Sequence, residues 1–260
     1  MDQINEKIYI DRDYIAGLLK FYLGRLSVKD ISNLKDSDED RYYGILIDRA
    51  FDNFHIGEIY YILGDFQKAR CHFSKVCKYT LEYWDYDPWE YSHLAQIPSA
   101  ARLIDSAIIS REIDIRKKCA ERILNNIKFI NDKKGDSCVY ESIALSYYIA
   151  QEKASALPYI SEIERTEIKE SQDNNLSGDG KFIGRSKMID GLLKKDKGKL
   201  LEGIHRALEK YNRVNRRNSI PLCISALIYL ILARDNDIII SIDDIPKKLR
   251  RPIFRFFEEP

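Results

Sequence analysis

Residues 60–73, YYILGDFQKARCHF, predict two antiparallel helices joined by a tight turn. Apolar residues recur at helical spacing on both sides of Gly64 and Asp65. Glycine readily takes the left-handed conformation that closes a helix, and aspartate caps the start of the next one. The first helix is therefore expected to run to about Leu63, and the second to start directly after the turn.

The spacing within this hairpin resembles the tetratricopeptide repeat, which carries a small residue on its first helix and A-x3-F on its second. The corresponding positions are Asn53, Ile56, Gly57, Tyr60, Ala69 and Phe73, with Asn53 where the repeat has tryptophan. Small residues at Gly57 and Ala69 would let the two helices approach closely. A weaker copy runs from Tyr140 to Ile160, but the two copies are not a whole number of repeats apart. We therefore expect an irregular array and not a regular solenoid.

Helical periodicity along most of the chain predicts an all-α fold, namely an irregular, tetratricopeptide-like array of antiparallel helix hairpins. Further helices are predicted over residues 12–24, 28–34, 98–111, 113–131, 182–195, 198–212 and 220–234. Ser37 is expected to cap the helix that ends near Leu63, because three acidic residues follow it. Residues 238–246 alternate enough to form one short extended segment near the C-terminus.

The polar, glycine-rich stretch 170–184 is the clearest predicted loop and is expected to be flexible. It divides an N-terminal body of helix hairpins, residues 1–169, from a C-terminal helical part, residues 185–260. We expect the C-terminal part to pack on the body, so that the chain forms one compact unit.

Charge and composition argue against several classes of protein. The chain has 42 basic and 41 acidic residues, whereas a dedicated nucleic-acid binder has a clear basic excess. The longest apolar run, residues 220–233, is too short for a membrane span, and the first residues lack a signal-peptide pattern. Five dispersed cysteines are typical of a reduced protein. We therefore expect a cytoplasmic protein with no nucleic-acid and no membrane partner.

Catalytic motifs are not apparent in the sequence. The four histidines lack the spacing of metal ligands, and residues 173–184 begin like a calcium loop but lack its closing glutamate. No phosphate-binding loop is found. We therefore expect no metal, no cofactor and no enzymatic activity. An enzyme whose site converges from distant helices stays open as an alternative.

Residues 83–91, YWDYDPWEY, hold both tryptophans and are the most informative local feature. Tyrosine and tryptophan dominate protein-binding surfaces because they bury a large area at a small cost in rotamer entropy. The hypothesis is a partner-binding patch made of Tyr83, Trp84, Tyr86, Trp89 and Tyr91 with an acidic rim of Asp85, Asp87 and Glu90. The alternative is that these rings fill the gap between this hairpin and the next.

Two C-terminal segments carry a second resemblance. Residues 188–213, MIDGLLKKDKGKLLEGIHRALEKYNR, and residues 220–249, IPLCISALIYLILARDNDIIISIDDIPKKL, resemble the end of immunity protein 49 family members. The shared features are a charged turn between two helices, an apolar helix and an isoleucine-rich piece. Residues 101–124 resemble that family's middle helices. Members of the family counteract polymorphic bacterial toxins, so the resemblance implies direct binding of a cognate toxin.

Two interpretations of the function follow from these patterns. The first is an immunity protein that neutralises a cognate toxin through protein–protein contact. The second is a tetratricopeptide-like adaptor or scaffold that holds a peptide or a regulatory partner. A toxin gene directly beside this one would favour the first. The sequence indicates neither the oligomeric state nor the binding face.

Trp89→Ala should separate the two roles of the aromatic segment. Removing a ring that fills a core gap costs roughly 3–5 kcal/mol of stability, whereas removing a partner anchor leaves the fold intact. We expect a melting temperature within a few degrees of the original and binding weakened by roughly 2 kcal/mol or more. Thermal denaturation and partner capture measure the two effects. Loss of the fold, or full binding by a stable variant, would contradict the hypothesis.

Overall fold

The computed structural model describes residues 11–27, 35, 38–86, 93–127, 137–172, 184–214 and 221–259. Within these ranges the chain is predominantly helical and holds no β-strand, which confirms the predicted all-α class. The α-helices are α1 (Arg12–Ser27), α2 (Glu39–Leu63), α3 (Phe66–Tyr86), α4 (His93–Ser110), α5 (Ile113–Asn125), α6 (Ser137–Ile149), α7 (Lys153–Gln172), α8 (Arg185–Lys194), α9 (Lys197–Val214) and α10 (Ile224–Asp235). Short 3-10 segments follow at Ile242–Asp244, Lys247–Leu249 and Arg251–Glu258.

Neighbouring helices pack as hairpins. α2 lies along α3, α6 along α7, and α8 along α9, while α1 packs against α2. α4 connects the first two hairpins because it contacts both α3 and α6. α8 packs on α6 and α7, and α10 packs on α4, α8 and α9. The result is an array in which each hairpin is supported by the next.

The ends of α2 show which capping predictions were right. Gly64 has a φ of +82°, and its N–H bonds to carbonyls of the last turn of α2. Asp65 accepts a hydrogen bond from the backbone N–H three residues on, at 3.2 Å, as predicted for a cap of α3. At its start, α2 is capped by Asp38 and not by Ser37. The helix begins at Glu39, which places the Asp38 carboxylate 3.2 Å from the Arg41 N–H.

The close contact between α2 and α3 differs from the expected one. A Cβ atom added at Gly57 would lie 3.0 Å from the ring of Phe73, so the aromatic ring, not Ala69, fills the space beside the glycine. Ala69 is itself fully buried in the core. A flat ring can lie against bare helix backbone, which is why this glycine brings the two helices close together.

One hydrophobic core runs through the array from α2 to the last 3-10 segment. Its most enclosed element is α10, in which every residue from Ala226 to Ala233 is buried. Residues from both sides of the predicted 170–184 loop belong to this single core. The first three residues of that stretch are helical, because α7 continues to Gln172.

A buried ion pair joins α6 to α8. Glu141 Oε2 accepts a hydrogen bond from Arg185 Nε at 2.5 Å, and Glu141 Oε1 accepts one from the Tyr229 hydroxyl of α10 at 2.9 Å. Arg185 Nη1 also donates to Ser137 Oγ at 3.0 Å. Burial alone would lower the pKa of Arg185, but the Glu141 carboxylate outweighs it and holds that pKa above its ordinary value. Because buried charges must satisfy one another, this network fixes the relative positions of three helices.

Glu167 of α7 supplies a second carboxylate beside this pair. Its Oε1 accepts hydrogen bonds from the backbone N–H groups of Gly184 and Arg185 at 2.9 and 2.8 Å. Its Oε2 accepts one from the Ser186 hydroxyl at 2.8 Å. The first N–H groups of a helix have no partner within the helix, so Glu167 acts as the cap of α8.

Glycines bring α8 and α9 into backbone contact. A Cβ atom at Gly191 would lie 2.5 Å from the backbone nitrogen of Leu200, and one at Gly203 would lie 2.6 Å from the carbonyl oxygen of Gly184. Cβ contacts shorter than 3 Å are essentially never seen in proteins. The two helices can therefore keep this separation only while both positions lack a side chain.

Gly191→Ala should destabilise the protein because α8 and α9 would have to move apart. Overpacking of a tight core costs about 1–3 kcal/mol and occasionally more, and we expect the upper end, roughly 3 kcal/mol. Gly17→Ala on α1 is the matched control, since a Cβ there meets no atom within 4 Å. It should raise stability by up to about 1 kcal/mol through helix propensity. Denaturant unfolding measures both, and equal effects at the two positions would contradict the close approach.

Candidate functional site

The first residues of the predicted aromatic patch lie in the last turns of α3. Their side chains project from different faces of the helix. Trp84 is 3% exposed and belongs to the main core. Asp85 is outside, with 71% of its side chain exposed. Arg122 of α5 holds this end of α3 by donating to the Trp84 carbonyl at 2.6 Å and pairing with Asp85 at 2.7 Å. Trp84 therefore stabilises the fold, as in the gap-filling alternative, whereas the Asp85 side chain is exposed.

The other members of the patch are placed as follows. Tyr83 is half-buried, and Tyr86 is the last residue of α3. The remaining residues, Asp87, Trp89, Glu90 and Tyr91, lie outside the described residues. Their part in partner binding stays a prediction.

A second hydrophobic group lies beside Tyr83 and is distinct from the main core. We call it the tyrosine cluster; its members are Tyr42, Tyr43, Ile45 and Leu46 of α2 with Tyr79 and Tyr83 of α3. Tyr79 and Tyr83 stay half-buried. Partly exposed tyrosines combine a large apolar ring with a polar hydroxyl, which suits them to protein surfaces that bind other proteins. The sequence offered only the i, i+4 spacing of Tyr79 and Tyr83, because the α2 members are about 40 residues away in the chain.

Glu82 gives this cluster an acidic edge. The Tyr42 hydroxyl donates to Glu82 Oε1 at 2.6 Å, and Lys35 lies 3.6 Å from the same carboxylate oxygen. Burial raises the pKa of Tyr42 to about 12, with a further contribution from the bond to Glu82. The phenol is therefore neutral and acts as a donor at physiological pH. The Glu82 side chain is still 38% exposed, so its charge reaches the surface.

An open cavity of about 830 Å³ lies where the α4–α5, α6–α7 and α8–α9 turns meet the end of α10. We call it the turn cavity. Its charged lining consists of Arg111, Arg116, Lys117, Lys153, Lys195 and Asp235. Its apolar lining consists of Ile113, Ile149 and Leu232 with the ring of Tyr148. Because five basic side chains face one acidic side chain, the cavity is electropositive.

The backbone of the turns around this cavity is strained. Among the described residues, the non-glycine residues with positive φ are Arg111 (+63°), Gln151 (+64°), Lys195 (+54°) and Asp237 (+60°). The first three line the turn cavity, and the fourth follows Asn236, which also lines it. The left-handed conformation costs an ordinary residue roughly 1–2 kcal/mol, and glycine avoids that cost. Each of the four residues closes the end of a helix, where a left-handed residue is a common cap.

The two arginines of the turn cavity are held in place by acidic groups. Asp235 accepts hydrogen bonds from Arg111 Nη1 at 3.0 Å and from Arg116 Nη1 at 2.7 Å. Arg116 Nη2 also donates to the Ile108 carbonyl at 3.1 Å. The lysines differ: Lys117, Lys153 and Lys195 form no ion pair with any residue that the structure describes. The cavity thus combines two paired arginines with three exposed lysines, of which Lys153 lies over the Tyr148 ring at 5.8 Å.

Tyr148 places a buried hydroxyl at the wall of the turn cavity. Its side chain is only 8% exposed, and its oxygen has no hydrogen-bond partner in the described part of the chain. Asn236 lies beside this hydroxyl, and the Asn236 amide N–H donates to the Leu232 carbonyl at 2.8 Å. Burial raises the pKa of Tyr148 to about 12, so the hydroxyl keeps its proton. The oxygen has almost no accessible surface, so it is enclosed in the wall and is not open to the cavity.

Glu259 connects the turn cavity to the N-terminal hairpin. This buried carboxylate accepts hydrogen bonds from Arg70 Nη2 at 2.7 Å, from Arg111 Nη2 at 3.1 Å and from the Tyr61 hydroxyl at 3.1 Å. Burial alone would raise the pKa of Glu259, but the hydrogen bond from Arg70 and the charge of Arg111 hold it below its ordinary value. One carboxylate therefore holds α2, α3 and the α4–α5 turn against the C-terminal segment.

Comparison of the chain with protein-family models, with curated proteins and with solved structures found no match. Within the described ranges, no three histidine, cysteine or acidic side chains gather as a possible metal site. Among the helices that the structure describes, none has both the length and the apolar composition needed to cross a membrane. The function is therefore argued from the surfaces above and from the C-terminal resemblance.

Glu259→Gln should destabilise the protein, because it leaves Arg70 and Arg111 without a buried counter-charge. Removing one partner of a buried pair costs roughly 3–5 kcal/mol. Glu258→Gln is the matched control: Glu258 pairs with Arg255 at the surface, and such pairs contribute at most about 1 kcal/mol. Denaturant unfolding at neutral pH measures the difference, and equal losses would contradict the role of Glu259.

The Glu259 carboxylate should also make the free energy of unfolding depend on pH in the acid range. Its pKa is lower in the folded protein than in the unfolded chain, so its contribution is complete above the unfolded value of about 4.5. That contribution is lost as the pH falls through the folded pKa. Unfolding free energies measured from neutral pH down to about pH 3 should therefore fall less steeply for Glu259→Gln than for the original chain.

Proposed function

We propose that this chain is an immunity protein that neutralises a cognate bacterial toxin by direct protein–protein binding. The residues that carry the C-terminal resemblance support this function. They fall on α8, α9, α10 and the segment after α10, and these elements pack on one another. Ile245 and Leu249, which belong to the shared pattern, are both buried, so the pattern describes a packed unit.

The observation that carries the proposal is the tyrosine cluster with its acidic rim. Tyr79 and Tyr83 offer half-buried rings, while Glu82 and Asp85 offer carboxylates that are 38% and 71% exposed. Glu82 lies at the edge of these rings, whereas Asp85 lies on another face of α3 and pairs with Arg122 of α5. A partly buried aromatic group with charged neighbours is typical of a binding surface. The acidic rim fits a partner with a basic patch, and such complementarity speeds association more than it strengthens binding.

Rigidity favours an inhibitor at this position. The Gly57–Phe73 contact holds α2 and α3 close together, and the pair formed by Arg122 and Asp85 fixes the end of α3 against α5. A surface that is already ordered loses less conformational entropy on binding. An immunity protein benefits from this property because it must capture its toxin quickly and tightly.

The direct test is protection of growth. A toxin gene lying beside this gene should arrest growth when it is expressed alone, and co-expression of this chain should restore growth. The purified toxin and this chain should then elute together in size-exclusion chromatography. Complex formation without growth protection would favour the adaptor alternative, and neither effect would contradict the proposal.

Asp85→Lys tests whether the end of α3 makes the contact; because it also breaks the pair with Arg122, the melting temperature of the variant is measured to confirm that the fold is kept. Reversing a rim charge should weaken toxin binding about tenfold, mainly through slower association, and should weaken its dependence on salt. Glu209→Lys is the matched control, because Glu209 is an exposed acid on α9, which packs on α8 and α10. Surface plasmon resonance at two salt concentrations gives both rates. Unchanged association of Asp85→Lys would place the interface elsewhere.

A further inference from the structure

We propose that the turn cavity binds a small phosphate-bearing molecule. This site is separate from the tyrosine cluster, and the proposal does not depend on toxin binding. It starts from the three lysines that meet at the cavity: Lys117 on α5, Lys153 at the start of α7, and Lys195 in the α8–α9 turn. The packing of the three turns places these exposed side chains around one cavity.

Helix termini of both signs meet at the turn cavity. α5 begins at Ile113 and α7 begins at Lys153, whereas α6 ends at Ile149 and α10 ends at Asp235, and all four residues line the cavity. The start of a helix carries a partial positive charge and its end a partial negative one. The preference for an anion therefore comes from the five basic side chains. Asp235 is the one acidic group in the lining, and it is already shared between Arg111 and Arg116.

The donors left over favour phosphate over a single carboxylate. Asp235 occupies the position between the two arginines, so a further anion must be held by the three lysines. A carboxylate has two oxygens for these donors, whereas a terminal phosphate has three strong acceptor oxygens and more negative charge. Lysine binds phosphate as a mobile point charge and needs no fixed geometry.

The size and the apolar wall indicate an organic ligand. A volume of about 830 Å³ falls within the range of small-molecule sites. Ile113 is 66% exposed beside Ile149 and Leu232, so one wall could cover the apolar part of a ligand. The ligand class is therefore a phosphate ester of a small organic molecule, with the phosphate at the lysines.

Calorimetric titration of the whole chain with pyrophosphate, AMP and citrate tests the proposal. Pyrophosphate and AMP should bind saturably, and citrate should bind at least tenfold more weakly. The triple variant Lys117→Gln, Lys153→Gln, Lys195→Asn should lose about tenfold or more in affinity for pyrophosphate, since each exposed pair contributes a few-fold. The control is Lys20→Gln, Lys75→Gln, Lys118→Gln, which removes the same charge from exposed lysines outside the turn cavity.

Lys195→Gly provides a second test. A residue with only a structural role would change the melting temperature but not the affinity for pyrophosphate. Relief of the left-handed strain should raise the melting temperature by about 2–4 °C, while loss of the charge should weaken pyrophosphate binding a few-fold. Three outcomes would overturn the proposal. These are no saturable binding of pyrophosphate or AMP, equal affinity of the triple variant and its control, and citrate binding as tight as pyrophosphate binding.

Discussion

The buried pair of Glu141 and Arg185 is the interaction on which the helical array most depends. A charge removed from water is tolerated only when its partner and the remaining hydrogen bonds are in place. That condition sets the position of α8 against α6, and the Tyr229 hydroxyl adds α10 to the same arrangement. Glu167 then caps α8 from α7. Nonpolar packing can slide by small steps, whereas this network has one satisfied geometry, and so it fixes which faces of the helices meet.

The turn cavity and the tyrosine cluster both lie where the packing between helices is incomplete. The turns of three neighbouring helix pairs converge at one end of the array. Their side chains do not fill the space between them, and this space is the turn cavity. At the end of α3, Trp84 stays in the main core, while Tyr79 and Tyr83 on another face of the helix pack with α2 in the tyrosine cluster. Both surfaces therefore lie at the ends of helices that are held rigidly.

The sequence predicted the helices well, because apolar periodicity and caps such as Gly64 and Asp65 are local signals. It did not predict which residues contact one another across the array. Gly57 was matched to Ala69 on the basis of repeat spacing, whereas Phe73 lies one turn further along the same face. Arg185 and Glu141 are separated by 44 positions, and no periodicity links them. The turn cavity was missed for the same reason, since its lysines come from unrelated segments. Trp84 and Asp85 are adjacent in the chain, yet they differ completely in exposure.

Folding kinetics should reflect how far apart in the chain these contacts lie. Gly191 and Leu200 are near neighbours, so closing the loop between them costs little conformational entropy, and the α8–α9 hairpin can form early. Glu259 and Tyr61 are separated by 198 positions, and their contact can form only after most of the chain is in place. Until Glu259 docks, Arg70 and Arg111 stay exposed to water on a surface that is not yet packed. We therefore expect the last barrier to be the docking of the C-terminal segment, with the hairpins already assembled.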